Sequence, residues 1–166
     1  DPVSAIIIRE AFLNRAPVLT DVSWLHMVAH TPDMFPRLLP SNREMDEIAL
    51  FAEGHRDEFM FEEPDEWADR FAYEEFLGEV KTAQVLKSWI EEISEDEMIG
   101  RFDVEPGDLY RLIETAKWLL YASRELAVLL EHKDLVSPIS KLTERVEKGV
   151  KAELLPLVKL EGIGRV

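Results

Sequence analysis

EPGDLYRLIETAKWLLYASRELAVLLE, residues 105–131, is the longest uninterrupted helical pattern in the chain. Pro106 and Gly107 open it, Asp108 suits the positive end of a helix, and no Pro or Gly follows before Glu131. At about 100° per residue, Leu109, Ile113, Ala116, Leu120 and Ala127 fall on one stripe, which Leu112, Leu119 and Leu126 widen. That face must be buried. Arg111 and Trp118, seven residues apart, project the opposite way, among Glu114, Thr115, Ala122 and Glu125.

A flat indole and a flat guanidinium along one polar line can each take a nucleic-acid base, because stacking requires a π face and no hydrogen-bond code. The competing reading is a helix covered on every side, with Trp118 packed on a neighbour. Sequence arithmetic leaves both open.

Working outward, the 166 residues suit one domain with a substantial core. Cysteine is absent, which removes disulfides and thiolate metal sites and fits an intracellular, cytoplasmic protein. No apolar run is long enough to span a membrane, so no membrane partner is expected. The net charge of −15 opposes a phosphate-rich partner, but it is local: residues 41–105 hold 21 acidic and 6 basic side chains, and the flanks balance. Residues 137–166 are slightly basic, with six basic to four acidic side chains.

The rest of the chain reads as helices, with no convincing strand pattern. Residues 1–15 form one, with Ser4 as a cap and Ala5, Ile8, Phe12 and Leu13 inward. Thr20 or Asp21 caps VSWLHMVAH, where His26 and His30 stand at i and i+4. That spacing can hold zinc, but no third ligand is evident and no HExxH pattern is present, so structural histidines are expected and no metal site. Ser41 or Asn42 opens a helix reaching about Met60, with Ile48, Phe51, Ala52 and Phe59 buried. FEEPDEWADRFAYEEF, residues 61–76, reads as a solvated acidic face. It lacks the ligand spacing of an EF-hand and the ExxH pattern of a di-metal site. Residues 73–92 form a helix with Phe76, Val80, Ala83, Leu86 and Ile90 in one stripe. Ser94 and Glu97 are a capping-box signature for a short helix ending near Phe102. Ser137-Pro138 starts another, and Pro156 breaks the last one. The expectation is an all-α bundle of about seven helices around the long central one. At the end, Gly162-Ile163-Gly164 and Arg165 carry the GxG of a helix-hairpin-helix turn, whose bare backbone N–H groups can approach a phosphate, but at most half of such a motif is present.

Several segments in order, LHMVAHTPDM, EVKTAQVLKSWIEE, SEDEMIGRFDVEPGDLYRLIETAKWLLYASRELA and LTERVEKGVKAELLPLVKLEGIGRV, resemble the fourth domain of the archaeal superfamily-two DNA helicases of the Hjm (Holliday-junction migration) family. The resemblance implies a helical-bundle ratchet domain over residues 1–160, followed at 161–166 by the cut-short opening of a helix-hairpin-helix domain. It implies contact with single-stranded or forked DNA through Arg111 and Trp118, and DNA-backbone contact through Gly162, Gly164 and Arg165 once that second domain is complete. It also implies motor and winged-helix domains as partners within an archaeal helicase for DNA repair and fork or junction processing. ATP and Mg would belong to those motor domains: the chain contains no GxxxxGK[ST] loop and no DExH-type box, so no catalytic residue and no cofactor are expected within it. The alternative, from a different class, is an acidic protein-interaction module without DNA contact, in which Trp118 is buried.

Overall fold

The computed structural model describes residues 1–160, which form an all-α protein of eight α-helices and three short 3₁₀ turns, without a strand among them. The chain divides into two compact units, Asp1–Gln84 and the part from Val85 onward.

In the first unit, α1 (Pro2–Leu13) is capped by Asp1, whose Oδ1 accepts the Val3 N–H at 2.7 Å. Ser4, expected as the cap, is buried instead and its hydroxyl donates to Asp33. Ile8 and Phe12 face inward as expected, but Leu13 is exposed, because the helix ends with it and Asn14 leaves the helical path. α2 (Asp21–His30) has Thr20 as its N-cap, with the Thr20 N–H donating to Ser23 Oγ at 3.0 Å. Every residue from Val22 to Ala29 is buried.

α3 (Met45–Gly54) is shorter than its periodicity implied. The Ser41 N–H donates to Glu44 Oε2 at 2.7 Å, so the first residues are held as a turn, and the chain leaves the helix after Gly54 for a 3₁₀ turn at Arg56–Glu58. Phe59 nevertheless reaches the core with Ile48, Ala52, Phe76, Leu77 and Val80. α4 (Arg70–Ile90) begins earlier than expected because Asp69 Oδ1 accepts the Ala72 N–H at 3.0 Å. Gly78 is required there: a Cβ would lie 2.6 Å from the Leu38 carbonyl oxygen.

The second unit takes the end of α4 and then α5 (Glu95–Phe102), α6 (Pro106–Leu129), α7 (Lys133–Lys148) and α8 (Leu155–Val158). Ser94 caps α5 as expected, its Oγ accepting the Glu97 N–H at 3.2 Å. α6 packs along α7, burying Leu109, Leu112, Ala116, Leu119 and Leu120 on one helix and Leu135, Ile139, Leu142 and Val146 on the other. Trp89, near the end of α4, donates its indole N–H to the Val146 carbonyl at 2.7 Å.

α7 starts one turn before Ser137 and carries Pro138 inside it. Pro138 lies close enough to the N-terminus that the missing N–H costs one early bond, while Leu135 and Ile139 anchor both sides of it in the core. Gly149 ends the helix at φ 64°, where a side chain would be strained. Pro156 opens the last helical turn rather than breaking it.

Candidate nucleic-acid interface

α6 opens on local signals. Glu105 is extended at φ −67° and ψ 144°, Pro106 takes the first helical position and Asp108 lies in the first turn. Its burial follows the expected stripe, with Leu109, Ile113, Ala116, Leu120 and Ala127 inside and Leu112 and Leu119 beside them. Leu126 is only partly buried.

The opposite face is open. Trp118 is 54% exposed, which is incompatible with an indole sealed as packing. Arg111 lies on the same line, about 10 Å away along the axis at 1.5 Å per residue. Its side chain is 29% exposed, and Nε lies 3.7 Å from Asp108 Oδ1, an ion pair that keeps the guanidinium against the helix. Tyr110 and Tyr121 stand on this side too, 67% and 58% exposed. The 100° arithmetic puts Tyr121 within a quarter turn of Trp118, a signal already present in the sequence. Glu114 and Lys117 pair at 3.4 Å on the flank. The surface therefore offers exposed π faces with paired charges between them, which suits contact with flat rings in any order.

Gly162, Gly164 and Arg165 lie outside the described residues.

The histidines of α2 meet Glu79 of α4, a partner the sequence does not indicate. His26 is fully buried among the rings of Phe59 and Phe76, with centroids at 4.6 and 5.4 Å. Its Nε2 approaches Glu79 Oε2 at 3.2 Å, an ion-pair distance without hydrogen-bond alignment. His30 Nδ1 lies 2.9 Å from Glu79 Oε1, and its ring stacks on Phe61 at 4.1 Å. Arg37 completes the cluster, 3.6 Å from Glu79 Oε1 and 3.0 Å from Glu75. Burial pushes the His26 pKa down, more than the attraction of Glu79 raises it. Burial would raise the Glu79 pKa, but His26 and His30 hold it below the ordinary carboxylate value. Among the described residues no three His, Asp or Glu side chains are arranged to share a metal ion.

The family model for the fourth domain of archaeal helicases matches residues 22–149, which takes in both histidines, the acidic segment and the whole of α6. The chain belongs to this archaeal helicase domain 4 family. It is 36% identical to the ATP-dependent DNA helicase Hel308 of Pyrococcus horikoshii, over 99% of the chain and 22% of that protein. It is 34% identical to Hel308 of Methanocella arvoryzae, over the whole chain and 22% of that protein, and 38% identical to Hel308 of Thermococcus kodakarensis, over 99% of the chain and 14% of that protein. The chain thus spans about a fifth or less of the curated relatives it matches. It is a helicase domain 4, and among its described residues no helix is long and apolar enough to cross a membrane.

Proposed function

We propose that this domain 4 is the part of an ATP-dependent DNA helicase that grips single-stranded DNA, with Arg111 and Trp118 of α6 as the stacking pair of a ratchet. The observation that carries the reading is Trp118: a large aromatic more than half exposed on a helix whose other face is packed. Each stacked base is worth about 1–3 kcal/mol and no base identity is read, so the contact holds the strand and can be passed from base to base. The relatives named as ATP-dependent DNA helicases support the parent activity. In that parent, motor and winged-helix domains would be the partners, ATP and Mg would be bound by the motors, and single-stranded or forked DNA in repair and fork or junction processing would be the substrate. The domain itself supplies no chemistry; it converts motor movement into strand movement.

Affinity of the domain alone for DNA is expected to be low, since residues 41–105 carry the whole net charge of −15. The test is Trp118→Ala in the complete helicase. Loss of one stacking contact should weaken single-strand binding by about 5- to 150-fold and depress unwinding more than ATP hydrolysis. Unwinding at the parent rate, or collapse of the fold, would contradict it.

A further inference from the structure

Before α4 the first unit passes through FEEPDEWAD, residues 61–69, with five carboxylates and no basic side chain. Trp67 stands on this segment 91% exposed. Its second half is fixed: Asp65 Oδ1 accepts the N–H groups of Trp67 and Ala68 at 2.8 and 2.9 Å, and Asp69 caps α4. An indole displayed to water on a turn already fixed loses little freedom on binding, which is the property of an interface anchor. Beside it lies a groove of about 590 Å³ lined by Phe59, Phe61, Pro64 and Trp67, by Glu62 and Glu63, and by Arg56. The negative field reaches into it: the pKa of Tyr73, which also lines the groove, is raised by burial and then by the charges of Glu63 and Glu66.

We propose that this groove docks a basic segment of a partner protein, taking a lysine or arginine whose aliphatic stem lies against the aromatic wall and whose charged head meets Glu62 and Glu63. A long cationic side chain is the one group that satisfies both surfaces, because its stem is apolar and its end is charged. The chain's own cations, Arg56 in the groove and Arg70 beside it, leave that role open. Arg56 lies 3.6 Å from Glu63 and Arg70 lies 3.7 Å from Glu66, both about two-thirds exposed, and such pairs are weak and readily exchanged. Nucleic acid is excluded by the same carboxylates. A second copy of the chain would bring its own −15 to an already negative face. The site lies within the first unit and uses neither Arg111 nor Trp118, so it stands or falls independently of the strand grip.

The probe is a fluorescein-labelled octapeptide alternating alanine with arginine or lysine, titrated into the 166-residue chain and read by anisotropy. Binding is expected. Trp67→Ala should weaken it by about 30-fold, and Glu62→Gln with Glu63→Gln by about 10-fold, with helicity unchanged. Trp118→Ala should have no effect, and a peptide with glutamate in place of the basic residues should not bind. Absence of binding overturns the proposal, as does binding that Trp67→Ala leaves unchanged, which would mean diffuse charge attraction. Binding to this chain that the complete helicase fails to show also overturns it, because the groove would then be filled by the helicase's own domains.

Discussion

The two long helices invert the usual relation between polarity and exposure, and they do so in opposite directions. α4 buries every residue from Phe76 to Leu86, and those include Glu79, Lys81, Thr82 and Gln84. α6 leaves Tyr110, Trp118 and Tyr121 in water. The charges inside α4 are tolerated because each has a partner: Glu79 meets His26, His30 and Arg37, and Lys81 Nζ lies 2.9 Å from Glu44 Oε2 and donates to the Leu39 carbonyl at 3.3 Å. The rings on α6 have no comparable structural account. Polar groups buried with partners serve the fold, whereas apolar groups exposed on a regular helix point to something that binds there.

The largest expected effect comes from breaking the α4 side. Glu79→Ala leaves Arg37 and the buried imidazole of His26 without their shared carboxylate, and should cost about 3–5 kcal/mol in chemical denaturation. A loss under about 1 kcal/mol would mean the cluster is not what holds α2 against α4. Acid attacks the same cluster. The folded chain holds His26 neutral, so as pH falls below 6.5 the unfolded chain takes up a proton that the folded one resists, and stability declines. Below 4.5 the unfolded carboxylate protonates before Glu79 does, and a second loss follows as pH drops through the folded value. Denaturation midpoints should therefore fall in two stages towards acid, and Glu79→Ala should shrink the lower one, to which Asp33 and Glu44, also held below the ordinary carboxylate value, contribute the rest.

A smaller effect tests how closely α4 is approached. Gly78→Ala places a methyl group 2.6 Å from the Leu38 carbonyl oxygen and should destabilise by about 1–3 kcal/mol, despite alanine's better helix propensity. Gly100→Ala on α5, with nothing within 4 Å, should instead stabilise by about 0.5–1 kcal/mol. Equal effects at the two glycines would remove the distinction. Smallest of all, Trp118→Ala should change stability by no more than about 1 kcal/mol, because its ring is not part of the core.

What could be read from the sequence follows from the range of the forces involved. α6, its buried stripe and the outward direction of Trp118 depend on local periodicity, and Ser94 caps α5 through a contact three residues away. The early end of α3, the start of α7 before Pro138 and the replacement of Ser4 by Asp1 as a cap depend on neighbouring segments that local pattern does not encode. Glu79 was invisible as a site for the same reason: its partners are 42 to 53 residues away in the chain. Periodicity puts Arg111 on the line of Trp118, and the structure adds its pairing with Asp108.

The most direct test uses the indole itself. Trp24 and Trp89 are buried and Trp67 is the other exposed emitter, so a Trp67→Phe background leaves Trp118 as the solvent-sensitive signal. Titration with oligo-dT at low salt should quench and shift that emission, and adding Trp118→Phe should abolish the change. Emission that stays constant through saturating oligo-dT would contradict the stacking role of α6.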